Sequence, residues 1–189
     1  MSERNLTSLE ANYELEYLED EDEFLKYLDD VVPYIGWIVI YFNSLEDHIS
    51  DFIREAILRD PFHDERLDVF LSEMMFAAKC KALLNLYGQL IESKELSYSH
   101  QDLNELEFML IECSKRRNEY AHADWIGVKK ERLVKVKSKS KKTGTIHKYK
   151  KIEISELKID VEYINQARHF LCDFNDNIHS QLHENINKG

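Results

Sequence analysis

A chain of 189 residues, 43% of them apolar, is long enough to bury a core and too apolar to be a disordered protein. Its five glycines and two prolines favour long helices over turn-rich β structure. Its formal net charge of −11 argues against a uniformly basic nucleic-acid-binding protein. We therefore expect one mainly helical domain over residues 1–189.

Cysteine content and the first residues predict a reduced, cytoplasmic protein. Cys80, Cys113 and Cys172 are far apart and form no Cys-x-x-Cys pair, so neither a zinc knuckle nor a disulfide framework is expected. Residues 1–5 lack a signal pattern, and the longest apolar run, residues 34–42, is too short to span a bilayer. We expect no membrane contact, no metal and no cofactor.

The first third of the chain predicts an acidic segment followed by a long amphipathic helix. Residues 1–9 are expected to be frayed, and residues 1–30 as a whole to form an acidic N-terminal arm or a short helix. Pro33 fits the first turn of a new helix. Apolar residues then recur at steps of three and four, which predicts a helix that ends near Arg59-Asp60-Pro61.

Three more helices follow in the pattern of apolar residues. The second is predicted from about Glu65 to Glu92, and the third follows polar capping residues at 99–102. The fourth is predicted over about Val161 to Asn185. The expected fold class is all-α, an up-down bundle of four to five helices.

A basic hairpin is predicted before the last helix. Residues 133–137 and 150–154 alternate between apolar and polar, and Lys142-Thr143-Gly144 can turn between them, so a β-hairpin insertion is expected within 129–156. Between Lys129 and Lys151 there are eleven Lys or Arg residues and one acid. This asymmetry predicts a basic appendage on an acidic body, or simply a solvated charged hairpin.

The richest chemistry lies in Arg117-Asn118-Glu119-Tyr120-Ala121-His122, where the third helix is expected to end. Arginine can hold and neutralise a phosphate, and histidine can move a proton near neutral pH. An amide such as that of Asn118 can orient either group. These are the side chains that RNA cleavage without a metal requires.

Helical geometry constrains how these residues can meet. Arg117 and His122 point roughly 140° apart on an ideal helix, whereas Asn118 and His122 share a face. Arg117 and His122 converge if the helix frays at Ala121, or if two copies meet across a two-fold axis. The alternative is that Arg117 makes a surface ion pair and His122 caps the helix C-terminus.

The pattern Arg117-Asn118-x-x-Ala121-His122, late in the third predicted helix, resembles the HEPN superfamily (higher eukaryotes and prokaryotes nucleotide-binding). The first long helix, with Gly36, Phe42, Asn43 and Leu45-Glu46, and the turn that reaches Trp125 are also similar to prokaryotic branches of it. The resemblance covers about residues 33 to 185 and is specific at the six-residue motif.

Members of this superfamily are often metal-independent endoribonucleases that act as dimers, in toxin–antitoxin pairs, in anti-phage defence or in RNA processing. The resemblance implies that Arg117, Asn118 and His122 are catalytic, with Glu46 and Tyr120 as possible supporting residues. For Glu46 an ion pair with Arg54 or Lys79 is the alternative. A homodimer and a regulatory protein such as an antitoxin are the implied partners besides RNA.

The implied reaction uses the 2′-hydroxyl of RNA as nucleophile, with His122 as proton carrier and Arg117 on the phosphate oxygens. It leaves a 2′,3′-cyclic phosphate and a 5′-hydroxyl. The hairpin is expected to guide the strand, with phosphate contacts from its lysines and base stacking on its tyrosine. These residues are Lys135, Lys137, Lys139, Lys141, Lys142 and Tyr149.

Three other interpretations stay open. The chain can be a catalytically inactive HEPN module that binds RNA or a protein partner. His179 and His183, at i and i+4 on the last predicted helix, can bind a metal if a third ligand such as Asp176 joins them. The acidic body can instead serve as a scaffold or an antitoxin that mimics nucleic acid.

Overall fold

The computed structural model describes residues 3–142 and 144–188, which are mostly helical and include a small antiparallel sheet. The sheet contains β1 (Glu3–Thr7), β2 (Leu133–Lys141) and β3 (Gly144–Lys151). A 3-10 turn, Glu65–Leu67, precedes the third helix. The α-helices are α1 (Ser8–Glu14), α2 (Glu21–Ile57), α3 (Asp68–Leu71), α4 (Phe76–Lys94), α5 (His100–Ala121) and α6 (Ile154–Lys188). None of these helices is long and apolar enough to cross a membrane, within the residues described.

The described residues divide into two compact units. Residues 3–39 and 115–162 form one, here called the sheet unit, and residues 40–114 and 163–188 form the other, the helical unit. The interior of the helical unit is lined by apolar residues of α2, α4, α5 and α6. Among them are Leu45, Ile49, Leu83, Leu106, Leu110, Ile164 and Leu171, none of which is exposed.

The predicted hairpin forms, and it is part of a sheet with strand order β1-β3-β2. The second strand was predicted to extend to Ile154, but Ile154 is the first residue of α6. Lys142 and Gly144 flank the turn, whereas Thr143 lies outside the described residues.

A β-bulge sets the faces of this sheet. Lys135 pairs with Tyr149, but Lys137 pairs with Lys148, so Val136 is an extra residue in β2. Cross-strand partners share a face. Lys135 and Tyr149 therefore lie on the face that packs on α1, where Tyr149 is buried in a cluster with Ala11, Leu15 and Leu133. Lys137 and Lys148 lie on the opposite face.

Residues 3–9 form a strand and the first turn of a helix, which corrects for them the expectation that residues 1–9 are frayed, whereas residues 1 and 2 lie outside the described residues. Glu3–Thr7 adds β1 to the edge of β3, from Glu3 opposite Lys150 to Thr7 opposite Ile146. Thr7 then caps α1, because its hydroxyl accepts from the Glu10 amide while its own amide donates to the Glu10 carboxylate at 2.7 Å.

Helix α2 begins at Glu21, so the prediction that it starts at Pro33 is wrong. The acids Glu21, Asp22 and Glu23 occupy its first turn, where negative charge is favoured by the helix dipole. The Asp20 carboxylate accepts from the Glu23 amide at 3.0 Å. Pro33 thus lies inside the helix, and the acids are its first turns instead of an arm.

The second predicted helix is interrupted. Its first part is the 3-10 turn and the single-turn α3, and α4 begins only at Phe76, after Met75 adopts an extended conformation. Helix α6 conversely begins at Ile154, earlier than the predicted Val161. In both places the apolar spacing identified the helix but not its first residue.

Candidate functional site

The Arg117–His122 motif lies at the C-terminal end of α5, in the sheet unit. Helix α5 ends at Ala121, so His122 is exposed just beyond the last turn. The chain then turns back, and the Trp125 indole donates to the Tyr120 carbonyl at 2.9 Å. This contact fixes the direction in which the backbone leaves the helix.

Asn118 and His122 line one cavity of about 660 Å³ between α5 and the hairpin. Its other lining residues are Lys115, Glu119, Val136, Lys137, Ser138 and Lys148. Arg117 is not among the described residues that line it. The Arg117 Nη1 instead donates to the Asn118 Oδ1 at 3.0 Å. The fold thus brings together the amide, the imidazole and three lysines, and it leaves the arginine beside them.

Three charged lining residues, Lys115, Glu119 and Lys148, were not predicted from the sequence. Lys115 stands at i−3 from Asn118 and i−7 from His122, a spacing that places all three on one helix face and could have identified it. Lys148 is brought in by its pairing with Lys137 across the hairpin, and that pairing depends on the bulge. Glu119 is positioned by an ion pair with Lys150 of β3, a contact that the spacing of residues along α5 does not indicate.

Glu119 belongs to a cluster of charges beneath the cavity. The Lys150 ammonium donates to the Glu119 carboxylate at 2.8 Å and lies 3.7 Å from Glu156. Lys150 is only 7% exposed. Burial by itself lowers the pKa of Lys150, but its hydrogen bond to Glu119 and the neighbouring carboxylates outweigh it, so the pKa is raised. Lys150 is therefore held as a cation.

Tyr120 takes part in the same cluster and not in the cavity. It is 1% exposed, and its hydroxyl donates to Asp160, which also accepts from the Arg116 guanidinium. Burial first, and then the bond to Asp160, raise the pKa of Tyr120 well above its usual range. A supporting role for Tyr120 is thus restricted to holding α5 on α6 at this point.

Two of the residues expected to bind RNA have other partners. The Lys135 ammonium lies 2.8 Å from the Asp124 carboxylate, an arrangement that lowers the pKa of Asp124. Tyr149 is buried on α1, so a stacking role does not fit its position. The four others, Lys137, Lys139, Lys141 and Lys142, are exposed.

Glu46 lies in the helical unit, where its carboxylate accepts from the Lys79 ammonium at 3.0 Å. This is the ion pair that was the alternative to a catalytic role. Arg54, the other partner considered, lies 3.0 Å from Asp51 and 3.1 Å from Asp68.

The metal-site alternative lies at the end of α6. The His179 imidazole is 3.5 Å from the Glu55 carboxylate. Among the residues described, no group of three or more His, Cys, Asp or Glu side chains is arranged to hold a metal ion. The three cysteines are free thiols, Cys80 and Cys113 buried and Cys172 half-buried.

Comparison of the chain with protein-family models, curated proteins and solved structures found no match in any of the three. Function is therefore inferred from the residues of the cavity and of the sheet face that adjoins it.

Proposed function

We propose that this chain is a metal-independent endoribonuclease that cleaves single-stranded RNA, with Arg117, Asn118 and His122 as its catalytic group. The observation that carries the proposal is the shared cavity. It places a proton carrier, His122, and an amide, Asn118, among three lysines that attract a phosphodiester. The resemblance of the motif to HEPN ribonucleases supports the same chemistry.

The cleavage step needs only the RNA, these side chains and solvent water, which exchanges the proton that His122 does not carry. The 2′-hydroxyl loses its proton and attacks the adjacent phosphorus, while the bond from phosphorus to the 5′-oxygen breaks and that oxygen gains a proton. His122 serves one of these two transfers. Lysines neutralise the charge that develops on the phosphate, and Asn118 orients it. DNA, which lacks the 2′-hydroxyl, is not cut.

We propose that Arg117 acts in the cavity of a second copy. Arg117 is not among the described residues that line its own cavity, and its Nη1 donates to Asn118 beside that cavity. A two-fold dimer that brings two motifs together would let the arginine of one subunit reach the phosphate bound by the other. The proposed setting is a cytoplasmic toxin–antitoxin or anti-phage system in which a regulatory protein controls activity.

For the helical unit we propose an up-down four-helix bundle. Hydrogen bonds between the helices support it. The Tyr87 hydroxyl on α4 donates to Asn175 on α6 at 2.7 Å, and Asn175 donates to Glu55 on α2 at 3.1 Å. Arg168 on α6 donates to Ser44 on α2 at 3.3 Å.

The second candidate is an inactive module that binds RNA without cutting it. The hydrogen bond from Arg117 to Asn118 favours it, because that bond engages both side chains with each other instead of with a substrate. The two candidates share the lysines and differ only in turnover.

The test is cleavage of single-stranded RNA in EDTA, with detection of cyclic phosphate ends. His122→Ala should lower the rate by about 10²-fold or more, the usual effect of losing a general acid or base, while RNA affinity changes little. Arg117→Lys should also be slow, because a point charge cannot replace a bidentate fork. His169→Ala, at an exposed position of the helical unit, is the matched control and should cleave like the wild type.

A mixture of subunits tests the shared site. Arg117→Ala and His122→Ala proteins, each inactive alone, should recover about a quarter of wild-type activity after mixing, because random pairing gives one intact site in half of the dimers. No recovery in mixed dimers would overturn the composite site. Cleavage by His122→Ala at the wild-type rate would overturn the catalytic assignment, and RNA binding without cleavage by the wild type would select the inactive module.

A further inference from the structure

Most cations of the basic hairpin segment are neutralised by side chains of the sheet unit. Five of them form ion pairs: Lys130 with Glu16, Lys135 with Asp124, Lys148 with Glu3, Lys150 with Glu119, and Lys151 with Glu153. The Lys129 ammonium lies 3.2 Å from the centre of the Tyr17 ring. Among the described residues, no carboxylate pairs with Lys137, Lys139 or Lys141. The charge available to a ligand is therefore concentrated at these three positions of β2 and at Lys142, which is exposed in the turn that follows them.

These three lysines form a straight row on one face of β2. Alternate residues of a strand point to the same side and are about 7 Å apart. That spacing is comparable with the distance between successive phosphates of an extended nucleic-acid strand. Across the hairpin, Lys148 and Ile146 stand opposite Lys137 and Lys139 on the same face. With Asn5 of β1 they line a groove of about 510 Å³.

This row, here called the lysine face, continues directly into the motif cavity. Lys137 and Lys148 line both the groove and the cavity that contains Asn118 and His122. A ligand held along β2 would thus have one end beside the imidazole. The ion pair from Lys148 to Glu3, 2.9 Å long, is exposed enough to be exchanged for a phosphate.

The shape of the row distinguishes single strands from duplexes. A duplex presents two rows of phosphates separated by a groove, and one row of lysines can neutralise only one of them. A single strand presents one row and can bend into the cavity. No aromatic side chain is among the described residues that line the groove, and Ile146 is its one apolar side chain. Recognition would therefore depend on phosphates and hardly on the bases.

We infer that the lysine face binds three consecutive phosphates of an extended single strand and delivers the next phosphodiester to His122. This inference rests on the proposed function for its last step, but the binding step is independent of cleavage. Because phosphates alone are recognised, DNA and RNA single strands of equal length bind alike. Discrimination between them arises only at the cleavage step, through the 2′-hydroxyl.

The experiment measures binding of a labelled twelve-nucleotide oligothymidylate, which lacks a 2′-hydroxyl, by fluorescence anisotropy from 50 to 300 mM salt. Each phosphate neutralised on a single strand adds about −0.7 to the slope of log affinity against log salt. The triple variant Lys137→Gln, Lys139→Gln, Lys141→Gln should therefore have a slope smaller in magnitude by about 2. Lys151→Gln is the matched control, because it alters the same hairpin on the opposite face, and its slope should equal that of the wild type.

Three results would overturn the inference. The first is a triple variant with the wild-type slope and an unchanged circular-dichroism spectrum. The second is tighter binding of a duplex of the same length than of the single strand. The third is displacement of the oligonucleotide by polyglutamate of equal charge at the same concentration, which would make the face a docking surface for acidic proteins. Normal binding by the lysine face without RNA cleavage would instead overturn only the proposed catalysis.

Discussion

Tyr87 in the helical unit and Tyr120 in the sheet unit are both 1% exposed, and each donates its hydroxyl to another side chain. The acceptors differ in charge. Tyr87 bonds the neutral amide of Asn175, whereas Tyr120 bonds the carboxylate of Asp160, which also accepts from Arg116. Burial raises the pKa of both phenols.

The difference reflects the chemistry of the interior around each tyrosine. Around Tyr87 the interior is apolar, and one amide is enough to satisfy the hydroxyl. Around Tyr120 cations and carboxylates lie together at largely buried positions, so the loss of a partner there weakens the compensation of a charge that is partly shielded from water. This ionic interior underlies the end of α5, from which Asn118 and His122 project. A fixed charge arrangement there keeps those two side chains in one position relative to the hairpin.

The largest effect is expected from removing the central carboxylate. Asp160→Ala should lower the free energy of unfolding by about 3–5 kcal/mol, because Arg116 and the Tyr120 hydroxyl lose their shared acceptor. Urea denaturation followed by circular dichroism measures this change. Asp160→Asn, which keeps an acceptor of the same size, should lose less. A loss of about 1 kcal/mol or less, as for a surface pair, would show that the cluster is solvated.

Tyr120→Phe should come next, with a loss of about 2 kcal/mol, because a hydrogen bond to a charged acceptor is removed. The same urea titration measures it. Its activity on RNA should persist, since Tyr120 does not line the motif cavity. A loss of activity without a loss of stability would give the tyrosine a direct role that its burial argues against.

Tyr87→Phe is the matched variant in the helical unit, and about 1 kcal/mol is expected because both hydrogen-bonding partners are neutral. Equal losses for the two tyrosine variants would remove the distinction between the ionic and the apolar interior. A larger loss for Tyr87→Phe would mean that the negative charge of Glu55, which accepts from Asn175, strengthens the hydrogen bond from the Tyr87 hydroxyl to Asn175.

The smallest effect concerns Asp124 at the surface of the sheet unit. The hydrogen bond from the Lys135 ammonium is the largest influence on the pKa of this carboxyl and holds it below its usual range. Burial opposes this effect, and the Gly127 amide adds a smaller lowering of the pKa. Its contribution to stability is therefore present above about pH 4 and lost as pH falls through the lower folded-state pKa. Melting temperatures from pH 6 to pH 3 should fall more for the wild type than for Asp124→Asn. Parallel curves for the two proteins would contradict the assignment.

Apolar spacing predicted where helices lie better than where they begin. The apolar residues Leu103, Leu106 and Leu110 of α5 are buried, but Ile111, which belongs to the same apolar pattern, is 44% exposed. Pro33 was misleading, because proline is tolerated in a first turn but is also present inside α2. Strand β1 was missed because five largely polar residues have too little pattern, and their pairing with β3 is a long-range property of the fold.

The candidate site was predictable only in part. The motif identified Asn118 and His122, and the charge count identified the lysines of β2. Sequence could not show that Lys135 is paired with Asp124 or that Tyr149 is buried, since both depend on which face of the sheet each residue occupies. Helical spacing likewise left the orientation of Arg117 undetermined.

The extra residue in β2 determines which face of the sheet each later residue of the strand occupies. Lys135, Lys137, Lys139 and Lys141 all have odd numbers, so an uninterrupted strand would turn all four toward α1 with Tyr149. Because Val136 is an extra residue between Lys135 and Lys137, the alternation of faces shifts by one position there. Lys137, Lys139 and Lys141 therefore lie on the face that is directed toward the motif. Deletion of this single valine would therefore close the bulge and leave Lys137 opposite Lys148, whereas regular pairing of Val136 in the unchanged sequence would reverse the side on which three charges are displayed.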